Sequence, residues 1–332
     1  MSETDDLETL RRHGFGVAYR MLGSVAEAED VAQEALLRLT RQEDPIDEPA
    51  AWMTTVTTRL SINVLKSARA RREAYVGPWL PEPLLEDLTP GPAARAELAD
   101  SLSLAMLVLL ERLNPIERAA YLLHEVFSYK YAEIAAIIEQ SEVNSRQIVT
   151  RAKKRLEAGR PRFDPDEAAR DALLERFLAA AEEGDLEALE GLLAQDAVLY
   201  ADGGGKAMTP PEPLVGAAVI ARFMAAVAQV RPPSGALESR RVRVNGQPGR
   251  VTRGPAEPPL GEAERHAAAE ALELVKSGET DDPRLAELVR AARGRAAGDG
   301  ELRVWSVLTV DVVDARIQAV RIVRNPDKLG HL

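Results

Sequence analysis

Hydrophobic residues recur every three to four positions through most of the first 158 residues, which is the spacing of amphipathic helices. Gly23 and Ser24 interrupt the pattern, and Asn114 with Pro115 supplies an N-cap and a first-turn proline. This part of the chain is therefore predicted to be entirely helical. The expected helices comprise two within residues 7–40, one at about 50–72, one at 98–113 and three short ones between 115 and 158.

A different pattern begins after residue 166. Apolar and polar residues alternate in several short segments, which is typical of strands, while helical segments precede and separate them. This succession indicates an α+β domain. The expected helices are at 167–182, 186–193 and 217–230, and the expected strands are at 197–200, 241–244, 304–312 and 317–323. Residues 254–300 interrupt an expected hairpin of the sheet, between VNGQPGRVTRG at 244–254 and GELRVWSVLTV at 300–310, and are predicted to be an insertion with one or two helices.

Two linkers divide the chain. Prolines and glycines crowd residues 77–92 too densely for a helix, and a second short linker follows the last basic helix. The predicted organisation is a helical domain at 1–75, a proline-rich linker at 76–96, a second helical domain at 97–158, a linker at 159–166 and an α+β domain at 167–332.

Composition narrows the chemistry. The 332 residues include no cysteine, which excludes disulfides and thiolate metal sites and is typical of a reducing compartment. The acidic first ten residues have no apolar core of signal-peptide length, and no apolar run approaches the roughly 20 residues that span a bilayer. We therefore expect a soluble, cytoplasmic protein with no membrane partner.

Charge is distributed unevenly along the chain. The net charge is −11, yet residues 59–72 hold five bases and no acid, and residues 146–162 hold seven bases and one acid. Because salt screens charges beyond about 8–10 Å, phosphate binding depends on such local groups rather than on the sum. Two basic helices on an acidic chain predict weak binding to DNA alone and strong binding with a partner.

Residues 131–156 have the pattern of a helix-turn-helix unit, with a short helix YAEIAAII, a turn EQSE and a second helix VNSRQIVTRAKKRL. Apolar residues are expected to pack the two helices together, namely Ala135, Ile138, Val143, Ile148 and Val149. Polar side chains of the second helix are expected to stay exposed, where Asn, Gln and Arg can read base edges and Lys can bind phosphate. The candidate DNA contacts are Asn144, Ser145, Arg146, Gln147, Thr150, Arg151 and Lys154. The alternative is an ordinary helical hairpin with a solvated basic face.

The second predicted helix carries an acidic face made of Glu29, Asp30, Gln33 and Glu34. Paired carboxylates occur in metal sites and in acid–base catalysis. No histidine lies close to them in the sequence, since His13 is a helix and a turn away. A solvated face and a docking surface for a basic partner are the interpretations that remain.

Several segments resemble a known family. AEAEDVAQEALLRL, AWMTTVTTRLSINVLKSARARR and LNPIERAAYLLHEVFSYKYAEIAAIIEQSEVNSRQIVTRAKKRL resemble regions 2 and 4 of extracytoplasmic-function sigma factors of bacterial RNA polymerase, over about residues 8–158. Three short motifs, WLPEP at 79–83, DGGGK at 202–206 and NPDKL at 325–329, are similar to those of the subgroup with a fused SnoaL-like domain, the sigma-J type.

The resemblance implies a multidomain fold, with a region 2 helical bundle, a region 4 helix-turn-helix domain and a C-terminal α+β SnoaL-like domain with a curved sheet. It implies a sigma factor that binds core RNA polymerase and directs it to the −35 and −10 elements of promoter DNA. The C-terminal domain would regulate that activity in cis. We expect no cofactor, no metal and no catalysis.

The resemblance also implies residue roles. The acidic helix would dock on the largest polymerase subunit, and the second helix of the helix-turn-helix unit would read the −35 element. The −10 element would be contacted by Trp52, Thr55, Arg59, Asn63, Lys66 and Arg69. Trp52 is alternatively a core residue, and many relatives have Asn at the position of Arg59. The regulatory contacts would be Trp79, Leu80, Pro81, Glu82, Pro83, Asp202, Gly203, Gly204, Gly205, Lys206, Asn325, Pro326, Asp327, Lys328 and Leu329.

Two other classes of function stay open. A conventional repressor or activator would bind duplex DNA by itself and sense a ligand, but it would need neither the acidic helix nor the second basic helix. An enzyme fused to a DNA-binding part would use Asp202 and Lys206 as an acid–base pair, although the loop between them lacks P-loop spacing and is by default a turn. An unidentified small-molecule or protein ligand of the C-terminal domain is a further candidate partner.

Overall fold

The computed structural model describes residues 3–73, 75–85, 103–157, 166–230, 237–255, 261–279 and 302–332. The chain divides into two compact units. The first comprises Met1–Ala74 and Pro90–Arg160, and the second comprises Tyr75–Thr89 and Pro161–Leu332. Residues 75–89 of the proline-rich segment therefore belong to the unit that contains the sheet.

The described part of the first unit is helical, as predicted. Asn114 begins its helix with a capping box, in which the Asn114 side chain accepts from the Glu117 amide at 2.9 Å and the Glu117 carboxylate accepts from the Asn114 amide at 3.1 Å. Of the helix predicted at 98–113, residues 98–102 lie outside the described residues, and the observed helix ends at Leu110. The helices are α1 (Glu3–Leu22), α2 (Val25–Thr40), α3 (Pro49–Glu73), α4 (Leu104–Leu110), α5 (Pro115–Glu125), α6 (Tyr131–Ile138) and α7 (Glu142–Glu157).

Small residues allow α1, α2 and α3 to approach closely. Ala32 and Ala35 on α2 are fully buried, and so is Met53 on α3. A Cβ atom added at Gly14 would lie 2.8 Å from the Met53 Cε atom, so glycine makes room for this side chain. Tyr19 fills the remaining core of the bundle.

A buried arginine joins the α4–α5 part of this unit to α1. Arg118 is 3% exposed, and its guanidinium donates to the Leu110 carbonyl at 3.1 Å and to the Met21 carbonyl at 2.8 Å. The Glu111 carboxylate lies 2.7 Å from the same group and balances its charge. A buried cation with this set of partners is stable, whereas its partners lose their donor if it is removed.

The strands in the described residues of the second unit form one six-stranded sheet. The strands are β1 (Leu193–Asp202), β2 (Leu214–Val215), β3 (Glu238–Val244), β4 (Gln247–Pro255), β5 (Leu302–Val313) and β6 (Arg316–Val323). Their order is β2-β1-β6-β5-β4-β3, and every pair is antiparallel except β1 with β6, which is parallel.

Helices α8 (Glu167–Glu183), α9 (Leu186–Leu192) and α10 (Ala217–Val230) pack with the sheet around one core. Phe177, Leu189 and Ile220 from the helices are fully buried in it against Val320 and other apolar side chains of the sheet. Alternate residues of β1 and β5 contribute to this core, so these strands show the period of two that predicted them. The predicted succession of helical domains and an α+β domain is confirmed.

One strand was missing from the sequence prediction, because β2 has only two residues. β4 was expected as one arm of the interrupted hairpin, and its antiparallel pairing with β5 confirms that expectation. β4 contains Pro248, Gly249 and Gly254, which weaken its strand pattern. A Cβ atom at Gly249 would lie 2.7 Å from the Leu308 carbonyl oxygen, so close contact between strands requires a glycine there.

The insertion joins β4 to β5, which pair in antiparallel fashion. It contains helix α11 (Glu262–Ser277), as predicted, and residues 256–260 and 280–300 of the insertion lie outside the described residues. Leu274 and Val275 of α11 pack against Phe223 of α10. Arg222 also donates to the Val275 carbonyl at 2.9 Å and to the Lys276 carbonyl at 3.1 Å. The insertion helix is thus capped and held by α10.

We predict that Arg118→Met lowers the free energy of unfolding of the first unit by about 3–5 kcal/mol, because Glu111 loses its buried counterion and two carbonyls lose their donor. Chemical unfolding followed by circular dichroism measures the change. Arg112→Met is the matched control, since Arg112 is an exposed arginine of the same unit. Equal shifts in the two variants would contradict the assignment.

Candidate functional site

Helices α6 and α7 form a helix-turn-helix unit. Glu139 ends α6 in the left-handed conformation with φ 57°, and the Ser141 hydroxyl accepts from the Asn144 amide at 3.2 Å as α7 begins. Ile138, Ile148 and other apolar residues are buried as predicted. Val143 was expected among them, but it is 70% exposed, because it lies in the first turn of α7 on the side away from α6.

The exposed face of α7 carries most of the predicted DNA contacts. Arg146, Gln147, Thr150, Arg151 and Lys154 are exposed, and Asn144 is half-buried. Ser145 was expected to be exposed and is completely buried, since its hydroxyl donates to the Ser141 carbonyl at 3.0 Å on the inner side of the turn.

Arg146 is held in place by residues that the sequence pattern did not single out. Its guanidinium lies 4.9 Å from the centroid of the Tyr131 ring, and the Glu142 carboxylate is 3.7 Å away. The Tyr131 hydroxyl is 3.1 Å from Nε2 of His124, and Nδ1 of His124 is 3.3 Å from the Tyr129 carbonyl. A carbonyl can only accept, so in neutral His124 Nδ1 donates and Nε2 accepts from Tyr131. This chain of contacts orients the ring under Arg146.

The predicted −10 residues lie along α3. Trp52 and Thr55 are half-buried, Asn63 and Lys66 are exposed, and the side chain of Arg69 lies outside the described residues. Arg59 is directed at α6, the first helix of the helix-turn-helix unit. Its Nε donates to the Ile137 carbonyl at 3.0 Å, and its Nη2 donates to the Ala136 carbonyl at 2.9 Å.

The predicted docking residues share one exposed side of α2. Glu29, Asp30, Gln33 and Glu34 are all exposed. Ala28, Val31, Ala32 and Ala35 are buried and hold the other side of the helix in the bundle. The Glu34 carboxylate accepts from Arg38 at 2.7 Å, an exposed pair within the helix. The acidic strip is thus presented on a rigid helix.

Asp202 is the centre of a cluster in the second unit, at the end of β1. Its side chain is completely buried, so its charge needs several donors. Oδ1 accepts from the Tyr75 hydroxyl at 2.5 Å and from the Gly204 amide at 3.1 Å. Oδ2 accepts from the Leu80 amide at 2.8 Å and from Lys328 Nζ at 2.7 Å. Burial and the hydrogen bond to Asp202 raise the pKa of Tyr75, which keeps the proton on its hydroxyl.

Lys328 is enclosed by the proline-rich segment. Its Nζ donates to the Leu80 carbonyl at 2.5 Å and lies 4.2 Å from the Trp79 ring centroid and 4.8 Å from that of Tyr75. Its side chain is only 8% exposed. The ammonium group therefore has a carboxylate, a carbonyl and two aromatic rings around it, and three of these groups belong to residues 75–80.

Further contacts extend this attachment along residues 75–85. Asn325 Nδ2 donates to the Tyr75 hydroxyl at 2.7 Å, and Nε2 of His331 is 2.9 Å from the Pro83 carbonyl. The Leu84 amide donates to the Asn245 side chain at 3.1 Å, and the Asn245 amide donates back to the Leu84 carbonyl at 3.0 Å. We call the contacts of residues 75–85 with Asp202, Asn245, Asn325, Lys328 and His331 the linker clamp.

The three short motifs thus meet in one place. Leu80, Pro81 and Pro83 are buried and Trp79 and Glu82 are half-buried, while Leu329 is buried in the tail. Asn325 caps the 3-10 turn Pro326–Lys328 by accepting from the Asp327 amide at 3.1 Å. Tyr75, Asn245 and His331 were not singled out by the sequence analysis, because they lie outside the motifs.

The DGGGK segment is a turn, in which the Lys206 amide donates to the Gly203 carbonyl at 2.9 Å. A Cβ atom at Gly204, whose φ is 57°, would clash with Asn325, so the clamp requires a glycine there. The acid–base pair considered for Asp202 and Lys206 does not form. Lys206 Nζ lies 2.5 Å from the exposed Asp327 carboxylate, and Asp202 pairs with Lys328 instead.

Two absences apply to the described residues alone. No helix within them is long and apolar enough to cross a membrane. Within the same residues, no group of three or more His, Cys, Asp or Glu side chains could hold a metal ion.

A helix-turn-helix unit, a second basic helix and a SnoaL-like unit on one chain define a transcription protein with a fused C-terminal domain. The family models for Sigma-70 region 2 and Sigma-70 region 4 match residues 7–71 and 103–156. The chain is 39% identical to the ECF RNA polymerase sigma factor SigJ of Mycobacterium tuberculosis over 256 residues, which cover 76% of this chain and 81% of that protein. This protein belongs to the extracytoplasmic-function family of RNA polymerase sigma factors.

Two further comparisons agree. The crystal structure of the Mycobacterium tuberculosis extracytoplasmic function sigma factor SigJ superposes with a TM-score of 0.71 at 30% identity, covering 99% of this chain and 98% of that one. The probable ECF RNA polymerase sigma factor SigI of the same organism is 35% identical over 176 residues, covering 52% of this chain and 60% of that protein.

We predict that Asp202→Asn loosens the linker clamp, because Lys328 loses its buried counterion while the shape of the side chain is kept. Hydrogen–deuterium exchange of the Leu80 amide, which donates to Asp202, should become at least about tenfold faster, the factor that corresponds to about 1.4 kcal/mol. The control is Asp327→Asn, since its pair with Lys206 is exposed and contributes little. The same protection in both variants would rule out a stabilising role for the Asp202–Lys328 pair.

Proposed function

We propose that this sigma factor binds core RNA polymerase, directs it to the −35 and −10 elements of promoters, and is regulated in cis by its SnoaL-like unit. The observation that carries the proposal is that one chain has both an exposed acidic strip, on α2, and two basic helices, α3 and α7. A protein that bound duplex DNA by itself would need only one of these three features.

Helix α7 reads the −35 element. Its exposed face offers Arg146, Gln147, Thr150 and Arg151, which have the geometry to contact base edges and phosphates in the major groove. Lys154 lies one turn beyond Arg151 and suits a phosphate, because an ammonium acts as a point charge. Asn144 takes part from the edge of this face. Ser145 is left out of the proposed contacts, since its hydroxyl is used inside the turn.

Helix α3 contacts the −10 element, with Asn63 and Lys66 exposed toward solvent and Trp52 and Thr55 half-buried. Base stacking and cations capture unpaired single strands. Arg69 and Arg59 complete the proposed set. On α2, Glu29, Asp30, Gln33 and Glu34 form the docking surface for core polymerase, where their charge complements a basic partner.

The linker clamp is the element of regulation in cis. The segment that connects region 2 to region 4 is bound along residues 75–85 by the second unit, through Asp202 and Lys328. A bound linker and a released linker are two states with different contacts, which is the requirement for a switch. A small-molecule or protein ligand that prefers one state would shift the balance between them.

Run-off transcription with purified core polymerase and a genomic promoter library tests the proposed function directly. The chain should bind core and confer start-site selection. Tight sequence-specific binding of the isolated protein in a gel shift, without such selection, would favour a conventional regulator. Turnover of a small molecule that depends on Asp202 would favour an enzyme.

We predict that Arg146→Ala weakens binding of the holoenzyme to its −35 element by about 10- to 100-fold, because a bidentate contact to a base is worth about 1–3 kcal/mol. Affinity for wild-type and substituted −35 sequences measures it. Arg155→Ala is the control, as Arg155 lies on the opposite face of α7 and pairs with Glu117 at 2.6 Å. Equal losses in both variants on all sequences would mean that Arg146 reads no base.

We predict that truncation at about residue 165 changes promoter-dependent transcription. It removes all the residues that bind the segment 75–85 in the linker clamp, namely Asp202, Asn245, Asn325, Lys328 and His331. Asp202→Asn in the full chain should change transcription in the same direction, and Asp327→Asn should leave it as it is. Multiple-round transcription over a range of polymerase concentrations measures the effect. Activity that is equal for all four proteins across that range would contradict regulation by the clamp.

A further inference from the structure

Arg59 connects the two DNA-binding parts of the first unit directly. The residue lies in the middle of α3, and its guanidinium donates to the carbonyls of Ala136 and Ile137 at 2.9 Å and 3.0 Å. The Glu139 carboxylate lies 3.6 Å from the same group. All three partners belong to the last turn of α6 and its C-cap, in the helix-turn-helix unit. The contacts involve neither residues 75–89 nor any residue of the second unit.

The chemistry of this contact is well matched. The last carbonyls of a helix have no amide within the helix to accept from, and the helix dipole makes that end negative. A guanidinium group offers several donors in one plane and a positive charge, so one arginine can bind two successive carbonyls. Glu139 adds an exposed ion pair of small worth, because its side chain is 76% exposed.

Exposure distinguishes Arg59 from Arg118, another arginine that binds a carbonyl across these two parts. The side chain of Arg118, which reaches the Met21 carbonyl, is 4% exposed and has two partners within its own region. The side chain of Arg59 is 46% exposed and has its described partners across the interface. Water and anions can therefore compete for Arg59, so of these two contacts it opens at the smaller cost. Full separation of the two parts also breaks the bond from Arg118 to the Met21 carbonyl.

Occupation of both promoter elements is incompatible with this contact. Elements centred at −35 and −10 are about 25 base pairs apart, or roughly 85 Å at 3.4 Å per step. In this structure the Arg59 side chain of α3 lies within hydrogen-bond distance of the helix-turn-helix unit. The guanidinium that would face DNA is also committed to protein carbonyls.

We propose that Arg59 is a latch that keeps the helix-turn-helix unit against α3 in the free protein, and that promoter engagement replaces its protein acceptors by DNA. The inference rests on the proposed function only for what opens the latch. The latch itself is a property of the free chain, and it adds an intrinsic barrier to the one that the linker clamp provides.

The absence of cysteine from the chain permits a direct test. Glu43→Cys and Glu157→Cys place one spin label in each part of the first unit at exposed positions. Double electron–electron resonance on the full-length protein then reports the distance distribution between the two parts. The free protein should give one short distance, and core polymerase with promoter DNA should replace it by a distance tens of ångströms longer.

In the free protein, Arg59→Ala should raise the population at long distance about tenfold, the factor expected for loss of hydrogen bonds worth about 1.4 kcal/mol in total. Arg59→Lys should give an intermediate value, since an ammonium keeps the charge but cannot donate to both carbonyls in one plane. Arg112→Ala, an exposed arginine of the same unit, is the control and should match the parent.

The latch is overturned if Arg59→Ala, folded by circular dichroism, keeps the parent distance distribution in the free protein. If that variant fails to fold, the decision passes to Arg59→Lys, and a distribution equal to the parent's overturns the latch. A promoter complex that retains the short distance also overturns it. Failure of the proposed function has a different signature, namely no polymerase-dependent start-site selection while the effect of Arg59→Ala in the free protein persists.

Discussion

The buried carboxylate of Asp202 is the interaction on which the second unit depends. A charge with no exposed surface is tolerated only when donors surround it, and Tyr75, Leu80, Gly204 and Lys328 supply them. Half of these donors come from the segment that joins regions 2 and 4. Release of the segment would leave Asp202 and Lys328 with an incomplete set of partners. The linker is therefore part of the folded structure of the SnoaL-like unit, and Gly204 beside Asp202 leaves the space that Asn325 and Tyr75 occupy.

In the first unit, basic side chains and above all arginines make the contacts that matter for DNA binding and for the interface between its parts. A net charge of −11 would repel DNA at long range, but the basic residues are gathered on α3 and α7, where screening makes neighbours decisive. Two arginines also bind carbonyls across the interface between these parts, Arg118 in a buried site and Arg59 in a half-exposed one. The same side-chain type thus makes the contact that is harder to exchange where it is buried and the contact that is easier to exchange where water reaches it.

The sequence was sufficient for features with a local cause. Helical spacing predicted α1 to α3 and α5 to α7 nearly to their ends, and alternation predicted four strands. It was insufficient for β2, which has only two residues, and it did not show how closely Gly249 approaches the Leu308 carbonyl on the neighbouring strand. Helix phase at a turn was also misjudged, since Ser145 is buried and Val143 exposed by the way α7 leaves the turn. Tyr75 meets Asp202 across 127 positions and Asn325 across 250, and no local pattern contains that information.

The linker clamp and the Arg59 latch lie in different units and share no residue, so their energies of opening add if they open independently. The fraction of chains with both open is then the product of two small fractions. A ligand shifts only the equilibrium of the element for which it discriminates between states. Under the two proposals, DNA competes for Arg59 and acts on the latch, whereas a partner of the second unit acts on the clamp. Core polymerase, for which α2 is the proposed docking surface, would have to supply what DNA alone cannot, and this agrees with the weak intrinsic DNA binding that the acidic chain predicts.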